Sequence, residues 1–252
     1  MKNLTDVPDV FCWTKMGAEA GQPLDVIISR KETERELGDG VFFWGIGTPL
    51  GQRIWRFIDS VSRPFVLFSP MKAKPKQIDS SPENVFIWTA YLDKNGIKHA
   101  MPEHVFVTSR GLSNGLAKEQ HYALVCRKNS SLRSDEWPSV DWAKLKNYER
   151  DSKLGFSQVT AVVECKKSVI STGNNYDVLF GAELVEPYYV TLVDPVELPK
   201  NTLDNINTFW TNNRCSVIQQ YEWLRSEIAG YYSLAGHSSR KDSLFEPLAD
   251  MR

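Results

Sequence analysis

The feature that most constrains this chain is a succession of short apolar runs between Pro64 and Val193. Phe65–Phe68 (FVLF), Val85–Leu92 (VFIWTAYL), Val105–Thr108 (VFVT), His121–Cys126 (HYALVC), Gln158–Cys165 (QVTAVVEC), Val178–Leu184 (VLFGAEL) and Tyr188–Val193 (YYVTLV) are each too short for an ordinary helix. They are rich in β-branched and aromatic residues, and stretches containing Pro, Gly or Asn separate them, which is the pattern of strands joined by turns. Asp93-Lys94-Asn95-Gly96 carries the Asn-Gly pair of a tight hairpin.

Ahead of this body, Asp9–Thr14 (DVFCWT) reads as a strand, and part of Leu24–Leu37, between Pro23 and Gly38, reads as a helix. Val41–Ile46 (VFFWGI) is a further strand. Thr48-Pro49 resembles a helix start, and Ile54, Trp55, Ile58 and Val61 follow at helical spacing. Residues 132–157 form a polar, Trp-dotted stretch with a helical turn near Trp142–Glu149, a candidate seam. The period then changes. Leu203, Ile206 and Trp210 predict a short helix, and Ser216 with Gln219 forms a capping box before a stripe of Val217, Tyr221, Leu224 and Ile228. The expected fold is α+β: a strand-rich mixed or antiparallel sheet or barrel with a helical C-terminal end. Residues 1–232 are expected to form one domain, with 233–252 a polar tail.

The chain of 252 residues is 42% hydrophobic, enough for a substantial core, and its net charge of -1 carries no general attraction for polyanions. Any nucleic-acid contact must therefore be local. No signal-peptide pattern opens the chain and no apolar run reaches membrane-spanning length, so no membrane partner is expected. Four cysteines, Cys12, Cys126, Cys165 and Cys215, lie far apart without a CxxC pair. That predicts reduced thiols, with Cys126 and Cys165 in the core, and a cytoplasmic location. No metal or cofactor motif is found, so neither is expected.

Three residue sets could carry recognition. Gly45, Gly47 and Gly51 lie between a strand and a predicted helix, where bare backbone N–H groups can cradle a phosphate, although the spacing departs from a dinucleotide fingerprint. Glycines serving a turn beside bulky aromatics are the competing reading. Lys72, Lys74 and Lys76 would share one side of an extended segment, and with Arg53, Arg56 and Arg63 they make a locally basic stretch. Its alternative is a solvated lysine loop. Phe42, Phe43, Trp44 and Trp88 place aromatic rings on strands, and Trp44 stands before two glycines that leave room for a stacking base. Core packing is the alternative for each ring. Ser109, Arg110 and His121 are the catalytic candidates for an enzyme, without a GxSxG elbow to support them.

The N-terminal half resembles the PUA-like superfamily that includes EVE, ASCH and YTH domains. The resemblance rests on an opening strand with Phe11 and Trp13, a charged helical stretch, and Gly38-Asp39 directly ahead of the Val41–Trp44 strand. It implies a small barrel that binds RNA or a modified base, with Trp13, Gly38, Asp39 and Trp44 matching the pattern. The lysine-proline element at 64–79 and residues 158–232 depart from it. The leading expectation is thus a module binding a planar ligand, a nucleobase in nucleic acid, through Trp13, Trp44, Gly45, Gly47 and Trp88, with Lys72, Lys74 and Lys76 at its rim. An enzyme acting on a nucleotide or nucleic acid is one alternative. An interaction subunit docking a protein through residues 203–232 is the other.

Overall fold

The computed structural model describes residues 7–17, 22–71, 85–102, 104–110, 121–150, 152–155, 158–166, 173 and 175–198, with five positions between 201 and 208. Its elements in chain order are β1 (Val10–Met16), α1 (Leu24–Leu37), β2 (Val41–Ile46), α2 (Gln52–Ser60), β3 (Phe65–Pro70), β4 (Val85–Leu92), β5 (Lys98–Ala100), β6 (Thr108–Arg110) and β7 (His121–Arg127). There follow β8 (Val140–Asp141), a 3-10 turn at Trp142–Lys144, β9 (Leu145–Asn147), β10 (Thr160–Cys165), β11 (Asn175–Tyr176) and β12 (Phe180–Leu198). The fold is strand-rich and its pairing mixed. The chain divides into two compact units, each drawn from three stretches: 1–17, 48–72 and 126–185 make the first, and 18–47, 73–125 and 186–252 the second. Residues 132–157, expected as a seam, lie inside the first unit.

In the first unit β1 is central. It runs parallel to β3, with Trp13 opposite Leu67, and antiparallel to β10, with Trp13 opposite Ala161. β9 extends the sheet beyond β10, and the opening residues of β12 pair with β3. One face carries Phe11, Trp13, Leu67, Leu145 and Val163, packed with Val140 and Tyr176 of the β8–β11 ribbon and with Val178. α2 packs on β1 and β10 with Ile54, Phe57 and Ile58 buried. Its start is not Thr48-Pro49. Gly51, at φ 60, caps the helix in the left-handed region that glycine enters without a steric penalty.

In the second unit β4 pairs with the later part of β12, from Leu92 opposite Thr191 to Val85 opposite Leu198. β5 and β6 share its other edge, and β2 lies beside β7. The hairpin predicted at Asp93–Gly96 joins β4 to β5: Asp93 Oδ1 accepts the N–H groups of Asn95 (2.8 Å) and Ile97 (3.0 Å), and Gly96 takes φ 76. The two strands expected at 178–184 and 188–193 are one, β12.

α1 fills the whole span between Pro23 and Gly38. Its charged cluster is interior: Arg30, Lys31, Glu34 and Arg35 are all buried. Glu34 takes Lys31 Nζ at 2.7 and 2.9 Å, the Phe106 N–H at 2.9 Å and the Phe43 N–H at 3.4 Å. Lys31 donates onward to the Phe106 carbonyl at 3.0 Å. This explains why the strand expected at Val105–Thr108 begins only at Thr108. The backbone of Phe106 is committed to a helix side chain and has no ladder to join. The helical C-terminal end falls outside the described residues, except that Asn201, Thr202, Asp204, Asn205 and Thr208 are helical.

Glu34→Gln is expected to destabilise the protein by about 3–5 kcal/mol, because it removes the carboxylate that pairs with the buried Lys31 ammonium and accepts the Phe43 and Phe106 N–H groups. A urea titration followed by circular dichroism measures this. A shift below about 1 kcal/mol would show that the ion pair does not hold the unit together.

Candidate functional site

The rings proposed for stacking are interior. Trp13 is 1% exposed, Trp44 8% and Trp88 4%. Phe42 and Phe43 are fully buried as well, so both faces of β2 are covered and neither is left to line an open slot. Trp13 Nε1 donates to Ser69 Oγ at 3.0 Å, and its ring meets Tyr176 edge-on at 5.7 Å. Lys15 Nζ lies 5.1 Å from the Trp13 ring centre and 5.2 Å from that of Tyr176, a cation held over two aromatic faces. Burial lowers the pKa of this lysine.

Gly45 has a packing explanation. A Cβ there would stand 2.6 Å from Val107 Cγ1 and 3.7 Å from His121 Nε2. The bare backbone admits Val107, so the space that was to receive a base is already filled. Gly47 is half-buried, and Gly51 is the helix cap already described. Trp44 and Gly45, expected to open an aromatic slot, are instead packed in the core.

The structure does bring Trp88, Ser109, His121 and Gly45 together from four strands. Trp88 Nε1 donates to Ser109 Oγ at 3.0 Å, and the His121 ring stacks on Trp88 at 5.7 Å with an interplanar angle of 14°. Ser109 is buried and its oxygen serves as the acceptor for the indole, which suits a core hydroxyl better than a nucleophile. Arg110 is part of β6, but its side chain lies outside the described residues. Cys12 is buried with its thiol pushed up to about 12, mainly by burial, so it is unreactive at neutral pH. Cys126 is buried as expected and Cys165 only half-buried.

Lys72, Lys74 and Lys76 lie outside the described residues. Of the basic stretch, Arg63 forms an exposed pair with Glu183. Arg53 and Arg56 sit on α2, and Arg150 joins them from the turn after β9, a neighbour that no local pattern could announce. Arg53 has its pKa lowered by partial burial first, then by the like charges of Arg150 and Arg56, with Glu149 opposing. Arg56 Nε pairs with Glu149 Oε2 at 2.7 Å. Tyr148 anchors this turn through its hydroxyl, 3.4 Å from Ser60 Oγ at the end of α2. Arg56 and Arg150 thus lie close enough to Arg53 for their charges to act on it, and the Glu149 carboxylate among them pairs with Arg56. A scan against protein-family models and searches of curated proteins and solved structures return no match.

Two expectations follow. Gly45→Ala should cost about 1–3 kcal/mol by overpacking against Val107, and Val107→Ala in the same chain should recover most of it. Retained stability of the single variant in a thermal melt would refute the packing account. His104 has a buried Nε2 without a hydrogen-bond partner, and burial lowers its pKa from 6.5 to about 4. The unfolded chain takes up this proton first, so stability is lost as pH falls from 6.5 towards 4. The loss is on the order of 2–3 kcal/mol. Urea midpoints measured across that range should fall in the parent and flatten in His104→Asn.

Proposed function

We propose that the chain is a nucleic-acid-binding module that contacts the phosphate backbone through Arg53, Arg56 and Arg150. The convergence of these three arginines from two separate elements carries the reading. Guanidinium groups match phosphate geometry with paired N–H donors, and an exposed cluster releases condensed counterions on binding. With a net charge of -1 over the whole chain, the attraction is confined to this surface. Contacts to phosphate set position and carry no sequence information, so the module is expected to bind with little base preference.

The PUA-like resemblance stays part of this proposal; its Gly38-Asp39 pair lies in the tight turn between α1 and β2. Asp39 (φ 51) and Gly40 (φ 88) reverse the chain within three residues, and the Gly40 N–H closes on the Arg35 carbonyl at 2.7 Å. Buried, reduced Cys12 and Cys126 fit a cytoplasmic setting. Among the described residues no helix is long and apolar enough to cross a membrane.

The test is filter binding of single-stranded and duplex DNA and RNA over a series of salt concentrations. Arg53→Gln, Arg56→Gln and Arg150→Gln should each weaken binding uniformly across sequences and reduce the log–log salt slope by about 1. Absence of binding at low salt, or unchanged slopes in all three variants, would remove the reading.

A further inference from the structure

The second unit contains a buried cation for which the side chains among the described residues provide too little negative charge. Arg30 is 2% exposed, in the middle of α1. Its Nη1 donates to Gln22 Oε1 at 2.9 Å, and its guanidinium lies 4.8 Å from the centre of the Phe106 ring. The adjacent carboxylate, Glu34, is bound to Lys31 at 2.7 Å, so that pair is neutral and the charge of Arg30 remains. Burial lowers the pKa of the guanidinium to about 10, and Glu34 opposes that only in part.

Hydrogen bonding shows the same imbalance. Gln22 is 1% exposed, and its oxygen receives both Arg30 Nη1 and, at 3.3 Å, Thr108 Oγ1. The amide cannot be flipped, because that would set NH2 against the guanidinium. Two buried donors therefore remain without an acceptor among the described residues: Arg30 Nε and Gln22 Nε2. Buried donors are satisfied in the great majority of native structures, and buried charges are paired. Here both deficits fall on two side chains that touch each other, and a small oxyanion removes both at once. A carboxylate or phosphate oxygen accepts from Nε and Nε2 and neutralises the guanidinium. Thr108, whose hydroxyl donates to Gln22 Oε1, is half-buried and so the most exposed of the three side chains.

We infer that Arg30 and Gln22, with Thr108 beside them, form a binding site for a small oxyanion, a carboxylate or a phosphate group. The site belongs to the second unit and uses none of the arginines of the nucleic-acid reading, so either can fail alone.

Isothermal titration of the full chain with acetate and with inorganic phosphate, against chloride at matched ionic strength, tests this. One of the two should bind saturably and raise Tm; whichever binds names the class. Arg30→Met should lower the affinity by about 10–100-fold, the effect of losing a charged hydrogen-bond donor. Gln22→Glu supplies a carboxylate from within. It should raise Tm without added anion and abolish the response, and it decides the matter if R30M does not fold. Phosphate also stabilises proteins by exclusion from their surface, but that effect is unsaturable and would persist in Q22E. Overturning results are no saturable binding of either anion, or an equal response in Q22E. A Q22E protein less stable than the parent would likewise show that a water molecule serves these donors.

Discussion

The carboxylate of Glu34 is the interaction on which the second unit depends. One buried group accepts from Lys31, from the Phe43 N–H in β2 and from the Phe106 N–H ahead of β6. Removing a charged group from water costs several kcal/mol, and only a full set of donors makes that tolerable. Those donors come from a helix, a strand and a loop, so forming the ion pair requires all three to be in place. The same commitment fixes the course of the chain from Val105 to Val107, where the backbone bonds to α1 and to Trp88 and not to a regular ladder.

Around that polar centre the protein uses its tryptophans as structure. Trp13 and Trp88 each bury an indole and satisfy its N–H with a serine, Ser69 and Ser109 respectively, on a neighbouring strand. This is a repeated solution to one problem: a large ring contributes much apolar area, and its single donor needs a partner once water is excluded. In the first unit a pair of buried threonines, Thr14 and Thr160, does the same across β1 and β10 at 2.9 Å. These indoles and threonines are paired inside, whereas Arg30 Nε and Gln22 Nε2, like His104 Nε2, have no partner among the described residues.

Much of the secondary structure was legible. Val41–Ile46, Val85–Leu92 and the hairpin at Asp93–Gly96 match their predicted bounds, because continuous β-branched and aromatic runs and Asn-Gly turn chemistry are local properties. The functional candidates were less so. Trp44 and the glycines after it look the same in sequence whether they flank a ligand or a neighbouring valine, and only the position of Val107 separates the two cases. Conversely, Arg150 carried no signal, since nothing near it in the chain indicates that it will meet Arg53.

What the sequence determined by itself was the set of short strands and their turns, the helix ending at Gly38, and a charge balance that makes any polyanion contact local. These follow from spacing along the chain and from composition. The tertiary structure alone decided which charged residues face inward: RKETEREL reads only as a charged helical stretch, and Arg30, Lys31, Glu34 and Arg35 within it are buried. The reason is that burial of a charge depends on partners distant in sequence, Phe106 for Lys31 and Glu34 among them. No local pattern encodes such partners.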